Sequence, residues 1–203
     1  MTRALALVLP VALAGCTTVT PPDPQGALFA RLTALCGRAF AGRLVTNVAA
    51  DADMVAKPMV MHVGHCSAAE IRIPFHVRTG PESAGEAAWD RSRTWVITRT
   101  ANGLRLKHDH RHKDGSTDPV TQYGGDTISP GTAARQEFAV DAESIALFRA
   151  NSLARSVTNI WAIELDSARF AYELRRVGAN ARHFRVEFDL SQPVPAPPKA
   201  WGW

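Results

Sequence analysis

The chain has 203 residues, 46% of them hydrophobic and 21% charged, with a formal net charge of +4. That is ordinary composition for one globular domain with a proper core, and no internal repeat or second bilayer-length apolar run is present. Basic and acidic residues alternate instead of clustering, which excludes the basic groove with interleaved aromatics that a nucleic-acid partner would need.

Residues 1–15 read as a targeting segment. Arg3 supplies the basic start and residues 4–13 the apolar run, which is too short to span a bilayer. The segment ends Leu13-Ala14-Gly15-Cys16. This resembles the lipobox of bacterial lipoproteins. The resemblance implies diacylation of the Cys16 thiol, cleavage before Cys16 and acylation of the new amine. Thr17 in place of an aspartate implies sorting to the outer membrane, with the domain facing the periplasm. An ordinary secretory peptide with a coincidental cysteine is the alternative. The membrane is then one partner, reached through the lipid. Residues 16–26 form the anchor and an extended tether with Pro21, Pro22 and Pro24.

The expected domain spans 27–191. It opens with a helix over 27–36, with Leu28, Phe29, Leu32, Leu35 and Cys36 on one face and Gly37 after it. A strand follows at 40–46, where Gly42 suggests a bend or close backbone approach. Residues 47–58 read as a loop with two acids, 59–66 and 69–77 as strands, and Pro74 as an edge or a bulge. Residues 80–90 read as a mobile connection. The strand 94–100, the turn 101–103 and a returning strand make a hairpin. Residues 115–131 are irregular, with a short strand at 120–123 or a functional loop. A strand at 135–140 leads to a helix over 142–149, capped by Asp141 with Ile145 and Phe148 inward. The clearest strands are 159–165, 169–176 and 183–190. Their apolar faces are Trp161/Ile163/Leu165, Phe170/Tyr172/Leu174 and Phe184/Val186/Phe188/Leu190, and their opposite faces are charged. Residues 192–203 form a Pro-rich tail ending Trp201-Gly202-Trp203, packed on the domain or touching a membrane interface.

This pattern predicts a mainly β fold, an antiparallel meander closed into a barrel or a sandwich, with the N-terminal helix plugging one end. It resembles the lipocalin-like (calycin) up-and-down barrels, a likeness that implies a filled or ligand-holding interior. With Cys16 assigned to the lipid, Cys36 and Cys66 remain. In an oxidising compartment they form a disulfide, or else they are two buried thiols; no CxxC spacing suggests metal.

The stretch with most chemistry is Leu104-Arg105-Leu106-Lys107-His108-Asp109-His110-Arg111-His112-Lys113-Asp114-Gly115. With period two, Leu104, Leu106, His108, His110 and His112 share a face, and Arg105, Lys107, Asp109, Arg111 and Lys113 form a solvated charged one. Three readings stay open. His108, His110 and His112 could hold a divalent metal, helped by His62, His76, Asp114 or Asp126. They could line a ligand pocket together with Tyr123 and Asp126. They could also be structural, since successive positions on one straight strand are roughly 7 Å apart. Residues 103–114 are also similar to the first cupin motif, a His-x-His pair before an acid, here Asp114 where the family has glutamate. The second cupin motif is not recognisable. Tyr123-Gly124-Gly125-Asp126 reads as a binding loop or a turn. No serine has a G-x-S-x-G context and no carboxylate pair suggests glycoside hydrolysis. The expectation is an envelope lipoprotein that binds a small molecule or a protein partner, with no catalytic residue assigned. The alternative is a metal-dependent enzyme or metal carrier built on the histidine strand.

Overall fold

The computed structural model describes residues 23–203. The leader, Cys16 and most of the tether lie outside the described residues. Two helices, α1 (Pro24–Thr33) and α2 (Ala142–Ala150), accompany eleven strands. In chain order these are β1 (Ala39–Leu44), β2 (Met59–His62), β3 (His65–Cys66), β4 (Glu70–Arg78), β5 (Trp89–Thr100) and β6 (Gly103–His110). They continue with β7 (Tyr123–Asp126), β8 (Arg135–Ala139), β9 (Ile160–Leu165), β10 (Arg169–Arg176) and β11 (Arg182–Val194).

Every pairing is antiparallel, in the order β7-β6-β5-β4-β2-β1-β11-β10-β9-β8, with β3 beside β4. It is a meander whose first and last strands meet, so the sheet curls into a nearly closed barrel. The remaining seam is between β7 and β8. There Thr127 and Phe138 form a single bridge, and the Asp141 N–H donates to the Gly124 carbonyl at 2.9 Å. The seam explains the glycine pair. A Cβ on Gly124 would stand 1.9 Å from the Leu106 carbonyl, and one on Gly125 would stand 1.7 Å from that of Ala139. The segment 123–126 is therefore a strand, not a turn or a binding loop, and it lies three residues beyond the expected strand.

The inward faces form one core. Phe40, Met61, Ile73, Ile97, Leu106, Phe138, Trp161, Ile163, Phe170, Val186 and Phe188 are all buried, because each sits at every second position of its strand. The ring stack Phe75–Trp95–Tyr172 crosses it, with centroids 4.9 and 4.5 Å apart. α1 closes one end. Asp23 caps it by accepting from the Gly26 N–H, Leu28, Phe29 and Leu32 face inward, and Gln25 donates to Thr127 and Ser129 beside the seam. The helix thus begins three residues earlier than expected and ends before Cys36. Cys36 is bonded to Cys66, which ties the exit of α1 to β3.

Local irregularities have clear causes. Pro74 lies in an interior strand, opposite the break between β2 and β3, where its missing N–H leaves no rung unmade; the register shift follows at His76. Gly42 permits a close approach, since a Cβ there would stand 2.4 Å from Phe188 Cδ1. Residues 82–88 and 49–54 form 3-10 turns instead of open loops. β11 continues to Val194, and Pro193 pairs with β1 after β10 has ended. The rest of the tail packs back across the outer wall. The Trp201 N–H donates to the Arg91 carbonyl, and the Arg72 guanidinium lies 3.9 Å over the Trp203 ring. The expected domain edges at 27 and 191 therefore both fall inside regular elements.

The outer wall of β8 to β11 carries an ion lattice of Arg135, Glu137, Glu164, Glu173, Arg175, Arg185 and Glu187. These are the charged faces read from the sequence.

Candidate functional site

The end of the barrel away from α1 holds the chemistry. β5 and β6 pair Arg93 with His110, Trp95 with His108 and Ile97 with Leu106, so the inward face passes from aliphatic to polar along the hairpin. His108 is fully enclosed. The Tyr123 carbonyl lies 3.0 Å from its Nδ1 and the Tyr172 hydroxyl 2.7 Å from its Nε2. A carbonyl only accepts, so Nδ1 carries the proton and Nε2 accepts from Tyr172. His110, one turn of the pleat further out, shares a 3.1 Å hydrogen bond between its Nε2 and the Tyr123 hydroxyl. The Tyr123 ring stacks on His108 with centroids 4.6 Å apart and 12° between planes.

Burial sets the protonation of this group. Desolvation pushes His108 down to about 3 and His110, with Arg93 adding, down to about 4. Desolvation lifts Tyr123 to about 12 and raises Tyr172 well above its ordinary value. At neutral pH all four groups are uncharged. None is poised near pH 7 to shuttle protons, so they suit recognition better than general acid–base work.

Two cavities of about 210 and 220 Å³ open at this end, and His110, Tyr123, Tyr172, Leu174 and Arg182 line both. The first extends to Asp118, Ser156, Asn159 and Trp161. The second extends to Phe75, Arg93, Trp95 and Phe184. Asn159 is buried, and its Oδ1 has no hydrogen-bond partner among the described residues. The rim is charged. Arg182 pairs with Asp51, which is buried in the 49–54 turn, and Arg93 pairs with Asp90. A larger concavity, about 630 Å³, is a shallow groove lined by Arg43 and Arg169 and lies away from this chemistry.

The predicted site residues therefore separate. His108, His110 and Tyr123 come together. His112 lies beyond the end of β6, half exposed, 4.0 Å from Asp118. Asp126 faces outward and pairs with Arg105. Asp114 is exposed on its own turn with Ser116, His62 lies on the outer wall near the tail, and His76 is fully buried beneath the tail. Both His108 nitrogens are engaged by protein groups. Among the described residues no three His, Cys, Asp or Glu side chains gather at metal-binding distances. Asp109, expected on a solvated face, is fully buried. It accepts from Gln122 at 2.6 Å, Arg111 at 3.0 Å and the Trp203 indole at 3.1 Å, because the tail covers it.

Sequence reasoning missed Arg93, Trp95, Asp51, Tyr172 and Arg182 as site residues. Arg93 and Arg182 had a signal: each continues an apolar strand face by one more step, two positions before Trp95 and Phe184. Asp51 had none. Comparison of the chain with protein-family models, curated proteins and solved structures finds no match.

The Tyr172–His108 bond gives a direct test. Tyr172→Phe strands a buried imidazole acceptor, at an expected cost of about 1–3 kcal/mol. Urea denaturation of the variant measures it, and a change within about 0.5 kcal/mol, the size of a neutral surface substitution, would contradict the Tyr172–His108 hydrogen bond.

Proposed function

We propose that the chain is an envelope lipoprotein, anchored through Cys16, whose barrel binds a small molecule at its open end. The observation that supports this reading is the cavity pair beneath Arg93 and Arg182. It combines stacked aromatic walls with a few converging polar groups, the usual make-up of a ligand site. At about 220 Å³ each, the cavities lie below the range of roughly 300–1,000 Å³ that holds drug-sized molecules. The ligand is accordingly a small one with a flat apolar body. Its hydrogen-bonding atoms meet the neutral His110 and Tyr123 and the free Asn159 oxygen.

Calorimetry on the full-length chain in detergent, with indole, phenol and cyclohexanol as neutral probes, tests the cavity. Saturable binding of the flat probes is expected, with loss in Leu174→Trp, which fills the space between both cavities. Absence of saturable binding by all three probes, or binding unaltered by the filling variant, would overturn the reading. The anchor is tested separately. The intact mass of the cell-derived protein should correspond to a chain starting at Cys16 and carrying acyl groups; an unmodified start removes the envelope address.

A further inference from the structure

Beside the cavities, sharing Arg182 with them, lies a cleft of about 300 Å³ with three arginines in its lining. It is bounded by Ala49 and Ala50 on one side and by Arg155, Arg176, Asn180 and Arg182 on the other. Arg176 and Arg182 are directly opposed across the β10–β11 hairpin, and both stand on the inward face, in step with Leu174 and Phe184. Like charges in that relation repel. Arg155 enters from the 3-10 turn after α2. Among the described residues the carboxylate paired at this cleft is Asp51, and it is engaged with Arg182. Among the described residues no carboxylate lies within 4.0 Å of Arg155 or Arg176.

Arg176 is the unusual member. It is only 8% exposed, its Nη1 donates to the Arg155 carbonyl at 3.0 Å, and its Nε has no partner. A guanidinium withdrawn from water without a counter-charge is costly. The folded chain holds Arg176 here with no carboxylate within 4.0 Å among the described residues, and places Arg155 and Arg182 beside it. Burial first, then the charges of Arg182 and Arg155, weakens its hold on its proton, and the charge of Asp51 offsets this only in part.

We propose that this cleft is an oxyanion site that takes a phosphate or carboxylate group between Arg155, Arg176 and Arg182. The fork of each guanidinium presents paired N–H donors, which match the two oxygens of such a group. Arg182 also lines both cavities. An anion seated here is therefore adjacent to any molecule held there, and a ligand with an apolar ring and a short acidic arm would occupy both. The cleft goes beyond the cavity reading and stands even if the cavities bind nothing.

The test uses the full-length chain in detergent, titrated calorimetrically with inorganic phosphate and, separately, with benzoate, at ionic strength held constant with sodium chloride. Saturable phosphate binding is expected. Arg155→Gln, at an exposed position, and Arg176→Gln should each weaken it about tenfold, the value of one charge-assisted contact, while Arg149→Gln on the exposed face of α2 should not. Benzoate tighter than phosphate, and competing with indole, identifies an aromatic acid spanning both sites; phosphate alone identifies a free inorganic anion or a phosphorylated ligand. Phosphate heats equal to those of chloride, or affinity unchanged in Arg155→Gln, overturn the proposal. Arg155→Gln carries the decision if Arg176→Gln does not fold. Indole binding without phosphate binding removes the cleft alone, and phosphate binding without indole binding removes the cavity reading alone.

Discussion

Lowering the pH from 7 to 5 should destabilise the folded chain by several kcal/mol, with His76, His108 and His110 responsible for most of the loss. His108 is held at about 3, mainly by desolvation, and His76 and His110 at about 4, by desolvation with Arg91 and Arg93 adding respectively. In the unfolded chain each returns to its ordinary value near 6.5. A folded-state value depressed in this way means that the unfolded state binds more protons below 6.5. Stability is therefore complete above about pH 7 and falls as pH drops through 6.5 toward 4. At pH 5 each imidazole contributes a loss of about 2 kcal/mol. Three of them rival the whole stability of a typical domain, about 5–15 kcal/mol. Below pH 4 the carboxylates act in the same direction. Burial would raise Glu173, yet Arg135 and His183 hold it below its usual range, and hydrogen bonding from Arg185 does the same for Glu164. The measurement is the urea midpoint at pH 7, 6 and 5, with His76→Phe expected to remove about a third of the slope. A midpoint that does not move between pH 7 and 5 would mean that these rings are not enclosed as described.

Opening the Cys36–Cys66 bond should cost about 3–4 kcal/mol. The two residues are 30 apart in sequence, and a closed loop of that size restricts the unfolded chain by this amount in the chain-entropy account. The bond also adds a covalent link from the exit of α1 to β3 beside the backbone connection to β1, and α1 seals one end of the core through Leu28, Phe29 and Leu32. The double variant Cys36→Ala/Cys66→Ala should therefore melt roughly 10 °C lower, at 2–4 °C per kcal/mol for a domain of this size. It should also lose amide-exchange protection in α1 before the rest of the barrel. Equal melting temperatures for the oxidised chain, the reduced chain and the double variant would contradict this account.

Much of the architecture was legible along the chain. Alternation in 169–176 and 183–190 specified strands whose inward faces are Phe170/Tyr172/Leu174 and Phe184/Val186/Phe188/Leu190, and these faces are inward in the barrel. Asp141 before an apolar-periodic run marked the start of α2, and its side chain does accept from the Ser144 N–H. Two cysteines left over after Cys16 made a pair. The first two rest on short-range chemistry: side-chain direction repeats every two residues in a strand, and a cap acts within one helical turn; the cysteine pair rested on the count and on an oxidising compartment.

The site was legible only in part, because a strand's pattern says which face a side chain takes and not what covers that face. Asp109 alternates as a surface charge should, yet Gln122, Arg111 and Trp203 bury it, and the tail that does so lies 94 residues away in sequence. His112 continues the imidazole stripe in sequence, but β6 ends at His110, so the stripe has no third rung. Arg182 and Asp51 are separated by 131 residues and meet only because β11 closes the barrel against β1 and its following turn. By itself the sequence determined the faces of the late strands and the start of α2, since those follow from neighbours along the backbone. Barrel closure decided which imidazoles share an enclosed space and which distant charges meet, as Arg182 meets Asp51, because burial and Coulomb interaction depend on distance in space and closure brings remote segments within a few ångströms.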